Sequence, residues 1–408
     1  VPTVRRLAVA AIRARFAIFA AWVAVWALRF YSPRPLFGDW WVFQTGARIL
    51  TGEGGSYWAH YPGGPLHVYV SMPRLQVGPP ALLLTIPSLY LPPALGRAVM
   101  ASVLAAAGLL MIFLAERVAI RAGTAVANVR RTSLIAGVLL LPIWCTLGVA
   151  FMHLDDVMVL LLLDVALLAA MSGQRWVFGL ALGCAIATKP WAISFAPLVA
   201  MLPTRASQLR AGTIAAAIAI TWWLPFVLAA PATPTSLSDI NVPVEPMSLW
   251  ALLGATTPPA AGREIQLALA MAACAFMVSR GRWWAAPVVA TAVRLALDWQ
   301  TWSYYGAALV GCALLFDLCE SGRRVWPRVS ACALLTALVV PVAEATAIPT
   351  SLAAGVRLVL LAATAALAVG IRTSAGSEKD ANLLRQNARA NTTRSIERIT
   401  IAATSGVL

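Results

Sequence analysis

Charge is what this sequence lacks. Only 12% of its 408 residues are charged and 60% are hydrophobic, with a mean hydropathy of +0.79. That balance excludes an ordinary soluble domain, in which roughly a quarter of residues are charged. Lysine is scarcer still, with Lys189 and Lys379 the only two, so nearly all of the formal net charge of +15 comes from arginine. The six cysteines fall in or beside apolar runs without a CxxC pair, which argues against a disulfide framework and makes them small packing residues.

What the chain has is long hydrophobic runs. A crossing needs about 20 apolar residues, and the runs recur along nearly the whole sequence. The expectation is an all-α polytopic membrane protein with about 12 transmembrane helices, in a range of about 11 to 13. The spans are placed at residues 16–30, 96–115, 133–151, 155–172, 176–189, 191–203, 212–230, 265–279, 284–297, 304–319, 327–343 and 350–371. Several are shorter than a bilayer requires, so they must be extended by flanking residues, tilted, or broken. One membrane domain, residues 1–371, is expected to precede a polar, basic tail at 372–408, cytoplasmic and partly disordered.

The arginines punctuate the gaps between runs instead of forming one patch, which argues for topology over nucleic acid. Arg5, Arg6, Arg13 and Arg15 precede the first span, and Arg117, Arg121, Arg130 and Arg131 follow the second. With positive charge inside, both termini are cytoplasmic, and the expected location is the plasma membrane. The run Pro79–Pro93, PPALLLTIPSLYLPP, is short and proline-broken. Counting it as a span would move every later basic loop outside, so it is read as a juxtamembrane or re-entrant helix. Loops 31–95 and 231–264 then lie on the outer face.

On this assignment the carboxylates crowd the outer face, where cations are few. Lys189 ends one apolar run just before the helix-breaking Pro190, and a lone ammonium there snorkels to water or meets an anion. His153, Asp155 and Asp156 fall in an outer turn, where the two acids can cap the incoming helix or form a weak divalent-metal or phosphate-associated site. Asp164 is expected to face the bundle interior. Arg294 and Asp298 share a helix face, followed by Gln300 and by Trp299, Trp302, Tyr304 and Tyr305 as an interfacial aromatic belt. They form either a structural ion pair or a site in which Arg294 takes a phosphate while Asp298, Gln300 and the aromatics hold a sugar. Trp40, Trp41, Phe43, Ala47 and Leu50 are expected to form one apolar face of an interfacial helix, with Asp39 at its head.

An acid just after the first span, an amphipathic helix, the stretch YPGGPLHVYVSMPRLQVGPPALLL and a middle span reading GLALGCAIATKP together resemble the glycosyltransferase-C superfamily. The variant most similar is the actinobacterial polyprenol-phosphate-mannose-dependent mannosyltransferases. The resemblance covers residues 1 to about 370 and rests on order and topology. It implies an inverting transfer of a sugar, mannose above others, from a polyprenyl-phosphate donor to a glycolipid or glycan acceptor at the outer face. It also implies that Asp39 is the catalytic base. Many members have two adjacent acids in that loop, whereas Asp39 is followed here by Trp40. Arg74, Lys189 and Arg294 are the candidates for the donor phosphate. Trp40, His60, His67, Gln76, His153, Asp155, Asp156, Asp298, Gln300 and Tyr304 are the candidates for sugar or acceptor. No cofactor is expected; if a metal is used, Asp155 and Asp156 are its weak candidates. The expected partners are the lipid-linked donor, the acceptor and membrane lipids, with no nucleic acid. The alternative is a polytopic transporter or flippase, against which stand the absence of an internal repeat and the crowding of charge at one face.

Overall fold

A computed structural model describes residues 2–31, 40–52, 64–73, 75–238, 242–321 and 326–370. Most of those residues are helical, with no strand among them. In chain order the first helices are α1 (Pro2–Arg13), α2 (Arg15–Phe30), α3 (Trp40–Leu50), α4 (Val68–Ser71), α5 (Pro79–Leu89) and α6 (Pro93–Arg121). Then come α7 (Val126–Cys145), α8 (Leu154–Met171), α9 (Arg175–Thr188), a 3-10 helix at Pro190–Met201 and α10 (Arg205–Ala229). The short α11 (Thr233–Ser238) and α12 (Leu249–Leu252) precede α13 (Gly262–Ser279), α14 (Ala286–Leu297), α15 (Gly306–Glu320), α16 (Arg328–Ala345) and α17 (Thr350–Gly370).

Among the described residues, six helices are long and apolar enough to cross a membrane: α6, α7 with its π-helical extension to Ala150, α10, α13, α16 and α17. The other six expected spans fall on shorter helices or, in α8, on one that carries Asp155, Asp156 and Asp164. The span expected at 191–203 is a 3-10 helix containing Pro197, which lacks the N–H that an α-helical bond to the Ile193 carbonyl requires. The leftover run behaves as its prolines dictate: α5 has 11 residues, about 16 Å at 1.5 Å per residue, and ends before Pro92 and Pro93.

α15 is the axis of the bundle. Every residue from Gly306 to Leu318 is buried, as expected of a helix that is apolar on all sides and enclosed by others. α10 is peripheral, burying only Ala211, Ala215 and Phe226. It is held by close backbone approach: a Cβ on Gly179 or Gly183 would come within 2.7 Å of the Ala211 carbonyl or 2.6 Å of the Ala215 carbonyl. Four residues apart, these glycines share one face of α9 and let two helices meet where lipid offers no hydrophobic drive.

α8 fixes the separation of the two ends of the bundle. Its 18 residues place Asp155 about 25 Å from Ser172. At the Ser172 end, Glu116 accepts two hydrogen bonds from Arg15, each 2.7 Å, and one of 2.5 Å from the Ser133 hydroxyl. The Asp317 carboxylate accepts from the first backbone N–H groups of α16, at 3.4 Å from Val329 and 2.7 Å from Ser330.

Candidate functional site

Two sharp breaks in the backbone build the other end. α7 closes in a π-helical turn, and Met152 then adopts a left-handed conformation with φ of 55°, uncommon for a residue with a side chain. The His153 N–H donates to the Leu147 carbonyl at 3.0 Å, so the chain turns back at once into α8. Asp155 and Asp156 consequently lie in the first turn of α8 and are buried; they are not in an open turn. The second break is Lys189, extended at φ −152° and ψ 121°, with Pro190 stopping α9 as the sequence predicts.

These breaks bring Lys189 onto both acids. Its Nζ lies 2.8 Å from Asp155 Oδ2 and 2.6 Å from Asp156 Oδ2. Asp156 also accepts from Trp191 Nε1 at 3.0 Å, and Asp155 accepts from the Asp156 backbone N–H at 2.9 Å. His153 Nδ1 is 3.4 Å from Asp155 and 3.6 Å from Asp156. Its ring stacks on Tyr304 with centroids 3.9 Å apart and meets the edge of Phe43 at 6.3 Å. Asp155 is 1% exposed and the Lys189 side chain 13%, so one ammonium offsets two carboxylates away from bulk water.

His153, Asp155 and Asp156 present ligand atoms within 4.8 Å of one another, a spacing one cation could bridge. The Lys189 ammonium already bonds to both carboxylates, so a metal on this triad would have to displace it. The same bonds mean that Lys189 meets a carboxylate pair in this structure.

A second charged group lies behind Trp191. Arg294 packs its guanidinium 4.6 Å from the Trp191 ring and 5.3 Å from the Tyr305 ring, positions that favour a cation over an aromatic face. Arg294 Nη2 is 3.4 Å from Asp298 Oδ2, so the expected four-residue pair is present. Arg357, from the middle of α17, donates to the Leu295 carbonyl at 3.0 Å. Arg294 Nε and Arg357 Nη1 are both buried without a hydrogen-bond partner. Asp298 also accepts from the Gln300 N–H at 3.1 Å. The Gln300 side chain donates to the Pro243 carbonyl at 3.3 Å and accepts from Trp302 Nε1 at 2.5 Å. Of the four expected belt aromatics, Trp299 and Tyr304 are buried and only Trp302 is exposed, so this stretch mainly lines the site.

The first loop reaches the same place. α3 forms as expected and buries Trp40, Phe43 and Ala47, whereas Trp41 is exposed because it lies about 100° around the helix from Trp40. Trp40 stacks with Phe43, and Phe43 meets His153. Gln76 accepts from Arg263 at 3.2 Å, and Arg263 in turn lies 5.0 Å from the Trp299 ring. The Gly78 N–H donates to the Thr188 carbonyl at 2.8 Å, next to Lys189. His67 stands apart, on a short 3-10 turn at Pro65–His67 that packs against α10 and α3. Asp39, His60 and Arg74 lie outside the described residues, as does the tail from 371.

Sequence reasoning missed Trp191 and Arg357. The signal for Arg357 was present, a lone arginine within the apolar run SLAAGVRLVLLAATAALAVG, since a buried intramembrane charge marks function by default. Asp164 faces inward as expected, 2% exposed with Oδ2 unpartnered. No family model matches the chain, and a search of curated proteins finds no match.

Proposed function

We propose that this protein is an integral membrane glycosyltransferase that moves a sugar, mannose above others, from a polyprenyl-phosphate donor to a glycolipid or glycan acceptor. In this reading 12 helices or broken helices cross the plasma membrane, about as many as its apolar runs allow, with both termini cytoplasmic. The site then opens on the outer face. One observation carries the reading: buried charge and aromatic rings from α8, α9, α14 and the chain before α15 converge at one end of the bundle, with the helix that follows Asp39 packed against them through Phe43 and His153.

In the proposed reaction the acceptor hydroxyl oxygen bonds to the anomeric carbon while the bond from that carbon to the phosphate oxygen breaks on the opposite face. The hydroxyl proton passes to Asp39, and polyprenyl phosphate leaves with the bonding pair, giving inversion. Arg294 is the better placed of the described phosphate candidates because Lys189 is engaged by two acids. In this reading Trp40, Tyr304 and Gln300 contact the sugar or the acceptor. The second reading, a transporter or flippase, draws on Asp164, a buried acid deep in α8 with one unpartnered oxygen.

The test is transfer from radiolabelled polyprenyl-phosphate mannose to lipid acceptors by the purified full chain, with and without a chelator. Asp39→Asn should cut turnover by about 10² to 10⁴ while donor binding persists. Near-normal turnover in Asp39→Asn together with its loss in Asp155→Asn would move the chemistry to the α8 cluster. Accumulation of donor across vesicle membranes without any transfer would favour transport.

A further inference from the structure

At the end of the bundle away from Lys189, a cleft of about 210 Å³ is lined by Arg117, Arg121, Ser172 and Gln174 on one side of its chemistry and by Val165, Leu168 and Val177 on the other. We propose that this cleft binds one anionic phospholipid, its phosphate on Arg117 and Arg121 and the start of its acyl chains against the apolar wall. The proposal rests on the bundle lying in a membrane and is independent of sugar transfer.

Among the described residues the charge of the cleft is uncompensated. Arg117 and Arg121 are four residues apart near the end of α6, hence on one face, and both are exposed. Arg117 packs 6.0 Å from the Phe113 ring. Among the described residues no carboxylate pairs with either arginine, and none lines the cleft. The acid adjacent in sequence, Glu116, is on another face of the helix, bonded to Arg15 and Ser133.

Donors and depth both fit a lipid phosphate. The first N–H groups of α9 lack intrahelical partners beside the cleft, and Gln174 does not cap them through its side chain. The next residue but one, Trp176, is 62% exposed, as is common for an indole resting at a headgroup level. A soluble anion would use the arginines but gain nothing from Val165, Leu168 and Val177; a lipid uses both walls. Basic pockets between helices on the positive side of a membrane protein are a recurrent way to hold acidic headgroups.

The experiment counts lipids retained by the detergent-purified full chain, using native mass spectrometry with phosphatidylglycerol, phosphatidylcholine or glycerol 3-phosphate added. One phosphatidylglycerol should be retained in preference to phosphatidylcholine, and glycerol 3-phosphate should not displace it. Arg117→Gln with Arg121→Gln should weaken retention roughly 30-fold, the worth of two basic contacts at a membrane surface, and Arg117→Lys with Arg121→Lys should restore most of it. The control is Arg130→Gln with Arg131→Gln, an equal loss of exposed charge at the same end of the bundle but outside the cleft; it should leave retention within about twofold. Melting temperatures of all variants establish that each is folded. Unchanged retention without Arg117 and Arg121, equal losses in the control pair, or equal retention of phosphatidylcholine would each overturn the proposal.

Discussion

Replacing Lys189 by methionine keeps most of the side-chain volume and removes the ammonium, leaving Asp155 and Asp156 side by side with His153, Trp191 and the Asp156 backbone N–H as their partners among the described residues. Both carboxylates lose a bond of 2.8 Å or less, and Asp155 has almost no exposure through which water could compensate. Removing one partner from a buried ion pair costs about 3–5 kcal/mol, and the like charges left behind push Lys189→Met to the upper part of that range. Asp155→Asn is the opposite case, because Asp156 still neutralises the ammonium and the repulsion between the acids disappears. Its cost should be no more than about 2 kcal/mol, a lost charged hydrogen bond. The assay is reversible unfolding of the full chain from mixed micelles with increasing SDS, followed by tryptophan fluorescence. Lys189→Met within about 1 kcal/mol of the parent, or Asp155→Asn as damaging as Lys189→Met, would refute the sharing of one ammonium by two acids.

Gly78→Ala should destabilise the chain by about 2 kcal/mol or more: a Cβ there would lie 1.8 Å from the Ala187 carbonyl oxygen, and backbone cannot rotate away as a side chain would. An unchanged melting temperature would count against the contact that seats the first loop beside Lys189. Glu245 gives a pH dependence, since burial, and after it the charge of Glu344, raises its carboxyl above the ordinary glutamate range. A raised value means that its stabilising share is complete at low pH and lost as pH rises through that value. Glu245→Gln should therefore flatten the fall in melting temperature between mildly acidic and neutral pH, and an identical slope would show that Glu245 does not cause it.

The helices were legible wherever composition alone decides them. Pro190 ended α9 at Lys189, and the prolines around residues 79–93 bound α5 to 11 residues. The 3-10 helix was not legible, because apolar composition is the same for both helix types and only the backbone geometry after Pro190 separates them. In the candidate site, each charged residue of the Lys189 cluster stood out as an expensive group near a membrane end. Their pairing did not, since Asp156 and Lys189 are 33 residues apart on different helices, and no periodicity reports which ends meet. The aromatic stretch misled for a related reason. Tryptophan and tyrosine after a span suggest an interfacial belt, but here the chain from Trp299 to Tyr305 folds back over the helix ends and buries two of the four.

Trp191 divides the charged cluster into two halves of opposite excess charge. Its indole N–H points at Asp156, on the side where acids outnumber the lysine two to one, and its face lies against Arg294, on the side where Arg294 and Arg357 outnumber Asp298 by the same ratio. With opposite excess charges on the two sides of a ring and little water between them, the local field has a direction as well as a strength. A molecule carrying an anion at one end and hydroxyl donors at the other would be aligned before making any close contact, and reversing it end for end would be opposed at both ends at once.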